Sequence, residues 1–501
     1  MLSAFRSSVI NFYKRHTAQT HVLHKEAVVH SEATLRNLFE EAGQGQVFQF
    51  FDTLNDQEKK SLLAQLNEID VDRVNRIFQH ATTAPAHDHD SFDPLPDTSF
   101  SSTLDPKNAE LVEQWRKDGI KLIAQGKVAV ILLAGGQGTR LGSSAPKGCY
   151  DVGLPSQKSL FQLQGERILA VQRIATKAHP EHAKTAVVPW YVMASEPTRA
   201  ATENFFKENK FFGLNPAQVM FFNQGVLPAF TNEGKILLEA RGSVSTAPDG
   251  NGGIYKALKK EGVLADLKRR GIPYVHAYCV DNCLVKVADP IFIGYCVSKN
   301  AACGAKVVPK RAANEPVGVV CLREKKFSVV EYSEIPQELS EQVNPDGSLV
   351  YRAANIANHF YTTEFLDRID ALENSMEFHV AKKKIKHVDL STGELVVPTS
   401  NNGIKLELFI FDVFPYCDKL AVLETARNEE FSPLKNGPGS KEDNPATSKA
   451  DVLAQSKRFI EAAGGSVIGD IELSPLVSYD GEGLEKIKGI TLEGPKYIAL
   501  L

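Results

Sequence analysis

No apolar run in the chain approaches the roughly 20 residues that a membrane-spanning helix needs, which excludes a helical membrane anchor. The seven cysteines contain no CxxC pair, and most stand among apolar neighbours, as in Ala-Tyr-Cys279-Val and Val-Val-Cys321-Leu. They read as buried free thiols of a reducing compartment rather than a disulfide framework. Charge of one sign is also lacking. Lys and Arg total 57 against 61 Asp and Glu, a net charge of -4. Nothing global therefore favours nucleic acid or an anionic membrane, and any phosphate chemistry must come from a local concentration of cations. Acids are also missing from the N-terminal stretch. Residues 1 to 25 carry Arg6, Lys14, Arg15 and Lys25 with several Ser and Thr, and the first acid is Glu26. That composition suits a mitochondrial presequence and equally an unstructured extension; a cytoplasmic location is the expectation for the chain.

At 501 residues, with 43% hydrophobic and 24% charged content, the chain has the composition of a globular protein of two or three domains. Leu35, Leu38, Phe39, Leu62, Leu63 and Leu66 recur at helical spacing within residues 31 to 80. Residues 81 to 106, rich in Pro, Asp, Ser and Thr, read as a linker, and a further helix is expected over 109 to 125. From Lys127 onward, short β-rich runs alternate with amphipathic helices. Strands are expected at Val128–Ala134, Val188–Ala194, Val219–Phe222 and Tyr274–Val280, and helices at 159–178, 197–210 and 255–270. The alternation implies an α/β fold with a central Rossmann-like, doubly wound mixed sheet. Such sheets bind ligands beyond the C-terminal ends of their strands. Hairpin-like runs follow at Val317–Leu322 and Phe327–Tyr332, then a helix-like segment at Lys405–Phe414. The expected division is an extension (1–30), a helical region (31–126), a central domain (127–400) and a small α+β C-terminal domain (401–501).

The strongest local signal follows the first strand of that sheet: Leu133-Ala134-Gly135-Gly136-Gln137-Gly138-Thr139-Arg140-Leu141-Gly142, then Pro146-Lys147. Glycines let a backbone approach a polyphosphate and aim N–H groups at it. Arg140 adds a fork of donors and Lys147 a point charge. Two rival phosphate motifs fail on the letters. A Walker A loop needs Gly-x4-Gly-Lys-Ser/Thr, but Pro146-Lys147-Gly148 lacks both the glycine and the hydroxyl. A dinucleotide fingerprint needs Gly-x-Gly-x-x-Gly, and Gly136-x-Gly138 meets Leu141.

Leu-x-x-Gly-Gly-x-Gly-Thr-Arg-Leu-Gly-x4-Pro-Lys resembles the signature of sugar-nucleotide pyrophosphorylases. The longer string from Leu132 to Glu166 is similar to the eukaryotic UDP-N-acetylhexosamine pyrophosphorylases, and the likeness extends over about residues 31 to 447. The resemblance implies a magnesium-assisted reaction of UTP with a sugar 1-phosphate, N-acetylglucosamine 1-phosphate above all. It also implies roles for residues outside the loop. Leu133, Ala134, Gly135 and Gly136 would line the nucleotide site, with Gln224 reading the uracil edge through an amide that both donates and accepts. In Pro248-Asp-Gly250-Asn251-Gly-Gly253, Gly250 would lie against the base and Asn251 would hold the sugar. Asp281, at the end of the strand at Tyr274–Val280, would be a hard oxygen ligand for Mg²⁺. Glu331 and Asn355 would contact the sugar, and Lys405 and Lys435 the phosphates, so that Arg140, Lys147, Lys405 and Lys435 form the catalytic cation set. The chain departs from the family pattern at Arg352-Ala-Ala354, where Asn-Ala-Gly is expected.

Several features keep plainer readings. Lys382-Lys383-Lys384 reads as a solvated face, His359 as structural, and Asp70-x-Asp72 as part of a helix face. His87-Asp88-His89-Asp90 has metal-ligand residue types but lies in the linker without rigid support. The alternatives are N-acetylgalactosamine or glucose 1-phosphate as the sugar substrate, a UDP-sugar-dependent glycosyltransferase, and an inactive sugar-nucleotide-binding protein. The second lacks a loop-borne Asp-x-Asp, and the intact Arg140, Lys147 and Asp281 argue against the third.

Overall fold

Two compact units make up the chain in the computed structural model, which describes residues 29–83 and 90–500. The first unit combines residues up to Gln79 with Leu227–Ala247 and Lys382–Lys405. The second holds the rest and, with it, the main sheet. This division does not follow boundaries at residues 126 and 400. The His87–His89 part of the candidate metal cluster falls outside the described residues. No helix among the described residues is long and apolar enough to cross a membrane.

The first unit contains helices α1 (Glu32–Glu41) and α2 (Asp56–Glu68), and α3 (Val71–Thr83) begins in it. Of the apolar stripe read from the sequence, Leu35, Phe39, Leu62 and Leu66 are buried, while Leu38 is 36% exposed. Asp70 is a helix cap, accepting a hydrogen bond from Arg73 N at 2.9 Å, which gives the Asp-x-Asp pair a structural role. The inserted segment 227–247 is held by side-chain amides, with Gln44 Nε2 donating to Gly234 O at 2.8 Å and Gln65 Oε1 accepting from Val244 N at 2.9 Å.

The second unit is built on an eleven-stranded mixed sheet among the described residues, as the fold class expected. Its strands are β1 (Phe92–Asp93), β2 (Phe100–Ser102), β3 (Val128–Leu133), β4 (Trp190–Ala194), β5 (Val219–Asn223), β6 (Tyr274–Cys279), β7 (Cys303–Pro309), β8 (Val319–Arg323), β9 (Lys326–Val330), β10 (Ala353–Thr362) and β11 (Leu420–Glu424). The main path runs β2-β11-β7-β10-β6-β3-β4-β5. Strand β10 is antiparallel to both β6 and β7, while every other pair along the path is parallel. Seven strands therefore end on one edge, and the start of β10 reaches the same edge. Residues 92–93 and 100–102, inside the expected linker, add short strands to this sheet.

Strand β3 is buried along its whole length, as its unbroken apolar run requires of a strand covered on both faces. Helices α4 (Ala109–Ala124), α5 (Leu160–Ala178), α6 (Glu196–Glu208), α7 (Ile254–Lys260), α8 (Val263–Arg270) and α9 (Pro290–Ser298) accompany it. Helix α5 starts at Ser159, whose hydroxyl accepts from Gln162 N at 3.2 Å. Two sequence readings are corrected. The single helix expected over 255–270 is α7 and α8, parted by Gly262 at φ 79°. The segment read as helical at Lys405–Phe414 begins as the strand Gly403–Glu407, paired at Gly403 and Ile404 with Thr231 and Phe230. Alternating Ile404 and Leu406 are buried there, so the period was 2 and the apolar run 408–411 obscured it. The C-terminal residues form helix α10 (Pro445–Ala462) with two two-stranded parallel pairs.

Candidate active site

The glycine-rich loop leaves β3 at the centre of the main sheet and folds back on itself. Gly138 N donates to Ala145 O at 3.0 Å, and Lys147 N to Gly136 O at 3.2 Å. The return is turned by Thr139–Leu141 and by Gly142 at φ 76°, a left-handed conformation that favours glycine. The fold-back brings Lys147 from the far limb to the end of β6, where its Nζ lies 3.6 Å from Asp281 Oδ2. Arg140 is exposed on the loop, and its carbonyl lies 2.5 Å from where a Cβ on Gly437 would sit. The loop and the segment after Lys435 are thus in close contact.

Three predicted nucleotide residues meet at the next strand ends. Ser195 Oγ, just beyond β4, donates to Gly135 O at 2.7 Å. Gln224, just beyond β5, donates from Nε2 to Gly250 O at 2.7 Å, and its Oε1 would be 2.5 Å from a Cβ on Gly135. The amide thus spans both glycine clusters, and a side chain at Gly135 would displace it. Gly250 has φ 83°, and a Cβ there would fall 2.1 Å from Leu408 O. Leu408 N donates to Asp249 O, Gly252 N to Leu408 O, both at 2.8 Å, and Ile410 N to Asn251 Oδ1 at 2.9 Å. The cluster was expected to open a helix over 255–270. Helix α7 has seven residues and follows a 3₁₀ turn, so the cluster works instead through close backbone packing on 408–410.

Around Asp281 a second chain segment zips onto the end of β6. Leu434 N donates to Asp281 O at 2.8 Å, Cys283 N to Ser432 O at 2.9 Å, and Asn282 Nδ2 to Glu430 O at 2.7 Å. The next residue after Leu434 is Lys435, which is exposed. Its charge is felt nearby: burial, with Asp281, pushes the Cys279 thiol up, while Lys435 and Lys147 oppose it. Two cations and one carboxylate therefore converge at the C-terminal end of β6.

The predicted sugar residues lie further along the same edge. Asn355 sits where the β7–β10 register shifts, between Lys306 and Val307 on the facing strand. Its Oδ1 is 3.2 Å from His359 Nε2. His359 is buried and structural, as read, and burial lowers its pKa to about 3. Gly318 O accepts from Asn355 N at 2.9 Å, and a Cβ on Gly318 would lie 3.2 Å from Glu331 Oε1, so Glu331 and Asn355 flank one glycine. Burial, then repulsion from Glu334, raises the Glu331 carboxyl pKa. Glu331 opens onto a cavity of about 650 Å³ walled by Phe378, His379, Phe409, Phe411 and Asp412. His379 Nε2 lies 3.1 Å from Asp412 Oδ2, and its ring centroid is 4.3 Å from that of Phe409. Burial lowers the His379 pKa, but Asp412 outweighs it and holds the imidazolium above its ordinary range.

Lys405 is the last residue of the first unit. The departure at Arg352 has a local cause. Its guanidinium grips Glu424, with Nε 2.6 Å from Oε1 and Nη2 3.0 Å from Oε2, and Glu424 is 2% exposed. Sequence reasoning missed Ser195 and the aromatic wall 409–411. The signal for Ser195 was present as a Ser-x-x-Thr start directly after a strand. Among the described residues, no group of three or more His, Cys, Asp or Glu could hold a metal. Asp281 offers a partly exposed hard oxygen at the end of β6, which fits an ion completed by substrate phosphates rather than a protein cage.

A family model described as UTP--glucose-1-phosphate uridylyltransferase matches residues 72–466. A Xenopus tropicalis relative, UDP-N-acetylhexosamine pyrophosphorylase-like protein 1, is 47% identical over 91% of this chain and 94% of its own length. The UDP-N-acetylglucosamine pyrophosphorylase of Saccharomyces cerevisiae is 46% identical over 91% of this chain and 97% of its own. Among solved structures, the uridine diphosphate N-acetylglucosamine pyrophosphorylase of Trypanosoma brucei superposes with a TM-score of 0.80 at 31% identity, covering 91% of this chain and 94% of that one. The chain belongs to the UTP--glucose-1-phosphate uridylyltransferase family, among the eukaryotic UDP-N-acetylhexosamine pyrophosphorylases.

Proposed function

We infer that this chain is a nucleotidyltransferase that joins N-acetylglucosamine 1-phosphate to UTP and releases pyrophosphate. The observation that carries the reading is the folded-back glycine loop, which delivers Lys147 to within 3.6 Å of Asp281 at the end of β6. The sugar phosphate is already an oxygen nucleophile. One of its oxygens bonds to the α-phosphorus of UTP as the bond from that phosphorus to the bridging oxygen breaks, and pyrophosphate leaves with the electron pair. What opposes reaction is mutual repulsion of anions, so catalysis rests on positioning and charge neutralisation.

Gly135 and Gly136 supply close backbone approach to the nucleotide, and Gln224 and Gly250 hold the uracil. Lys147 and Arg140 take UTP phosphates, and Lys435 takes the α-phosphate and the incoming phosphate. Asn251, Glu331 and Asn355 orient the sugar. Asp281 would hold Mg²⁺, which when bound would add positive charge on the polyphosphate. Seven unpaired thiols suit a cytoplasmic setting. N-acetylgalactosamine 1-phosphate is the second substrate to test, since a relative at 47% identity carries the broader name N-acetylhexosamine.

The experiment is pyrophosphate release from UTP with each sugar 1-phosphate, with and without Mg²⁺, by wild type and Lys147→Ala. Loss of one such cation costs on the order of 10²-fold in rate. Wild-type kcat/KM in folded Lys147→Ala, or release from no sugar phosphate, would overturn the assignment.

A further inference from the structure

Behind the proposed phosphate site runs a chain of ion pairs, buried from Asp480 to Asp289, that the reaction as described does not use. Arg116 Nη1 lies 2.7 Å from Asp480 Oδ2, and Asp480 Oδ1 lies 2.5 Å from Lys286 Nζ. Lys286 Nζ is 3.6 Å from Glu430 Oε1, and Glu430 Oε2 is 2.9 Å from Lys306 Nζ. Lys306 ends the chain on Asp289 Oδ2 at 2.5 Å. The Lys306 side chain is 0% exposed and that of Glu430 6%, and three cations balance three carboxylates.

Stability alone is a poor reason for such a network, because well-packed apolar residues serve as well in a core. Its attachments point elsewhere. Glu430 is the first residue of the segment that zips onto the end of β6. Its carbonyl accepts from Asn282 Nδ2 at 2.7 Å, Asn282 Oδ1 accepts from Ser432 N at 3.0 Å, and Asp281 O accepts from Leu434 N at 2.8 Å. Lys435 is next. The Glu430 carboxylate thus fixes, through Lys306, the starting point of the segment that presents Lys435. Lys306 itself lies on β7 at the register shift facing β10, opposite Asn358, while Asn355 faces Val307. One buried ammonium therefore sits between the segment that carries Lys435 and the bulge that carries Asn355. Asp289, its other partner, is anchored as the cap of α9, with Oδ1 accepting from Ile291 N at 3.0 Å.

We propose that Lys306 and Glu430 are positioning residues of the transfer reaction, whose buried contact sets the register of residues 430–435 against 281–283 and so places the Lys435 ammonium beside Asp281. The proposal rests on the phosphate role given to Lys435 above. It is specific to ionic contact: a slip at Glu430 moves Lys435 by a fraction of a residue, and a misplacement near 1 Å can cost about 100-fold in rate.

The test is steady-state pyrophosphate release, with thermal midpoints, for Glu430→Gln, Lys306→Met and Asn282→Ala. Asp480→Asn serves as a control that breaks the same network away from Lys435, and Lys435→Ala as the reference. The expected result is a fall in kcat of about 10- to 100-fold for Glu430→Gln and Lys306→Met, with KM for UTP nearly unchanged. Asp480→Asn should lower the midpoint while keeping kcat within about twofold. Asn282→Ala removes the neutral half of the same clamp and must reproduce the loss, so wild-type kcat there overturns the proposal even where the charge variants do not fold. A loss of kcat that tracks the midpoint equally in Asp480→Asn also overturns it. If Lys435→Ala is slow and Glu430→Gln is not, positioning alone is refuted; if Lys435→Ala keeps full activity, the phosphate reading beneath it fails instead.

Discussion

A single methyl group at Gly250 tests how the nucleotide site is held. Alanine there would sit at φ 83°, a left-handed conformation that costs an L-residue about 1–2 kcal/mol. Its Cβ would lie 2.1 Å from Leu408 O, a backbone atom that no rotamer change can move away. To reach ordinary contact, segments 249–252 and 408–410 must part by more than an ångström. That separation strains three hydrogen bonds: Leu408 N to Asp249 O, Gly252 N to Leu408 O and Ile410 N to Asn251 Oδ1. With each bond worth about 1 kcal/mol net, the substitution should destabilise the second unit by about 3–5 kcal/mol. It should also displace Gln224, which donates to Gly250 O at 2.7 Å, and Asn251. The assay pairs thermal or urea unfolding with KM for UTP and for the sugar phosphate. Both KM values should rise, since base and sugar contacts share the moved segment. Gly153→Ala is the control. Its φ is 83° too, but nothing lies within 4 Å of the added Cβ, so only the conformational cost of about 1–2 kcal/mol remains. Equal stability losses in the two variants, or unchanged KM in Gly250→Ala, would refute the close-packing argument.

Acid should weaken the fold through two buried histidines. Burial holds His276 at about 4 and His359 at about 3, both below the ordinary 6.5. Folded pKa values depressed in this way contribute stability that is complete above pH 6.5 and is lost as pH falls towards 4, by up to about 1.4 kcal/mol per unit for each group; a urea midpoint that is flat across that window would contradict the reading. The Glu331 carboxyl is raised by burial and then by Glu334. The acid limb of kcat/KM for the sugar phosphate should therefore stand above the ordinary 4.5 and move down in Glu334→Gln, and an unmoved limb would remove Glu331 from that profile. Arg352→Met should strand Glu424, which is 2% exposed, with Ser102 Oγ as its remaining hydrogen-bond donor. The expected cost is about 3–5 kcal/mol with KM for UTP unchanged, measured by unfolding and steady-state kinetics.

How legible each part of the site was depends on the distance over which its physics acts. The glycine loop could be read directly because its requirements are local: a strand, a left-handed Gly142 and a lysine placed to return beside the strand that starts the loop. Asp281 and Gln224 could be located for a related reason, since they lie within two residues of strand ends in a sheet whose ligand edge the βαβ alternation fixes. The Lys306–Glu430 pair could not be read, because its partners stand 124 residues apart and a buried lysine carries no local mark that separates it from a solvated one. The helix reading of 405–414 failed for a different reason. There the apolar run 408–411 serves tertiary packing against Gly250–Gly252, and it masks the two-residue alternation of Ile404 and Leu406 just before it. The Arg352 departure shows the same principle from the other side. A residue that looked like an erosion of the sugar-binding pattern is satisfied by a carboxylate on β11, some seventy positions on, and Asn355 three residues later keeps its place at the register shift. A change in the motif's letters can thus be absorbed by a partner outside the motif. The geometry of Asn355 depends on the β7–β10 bulge rather than on the residue type at 352, so Arg352→Met should cost stability long before it costs recognition of the sugar.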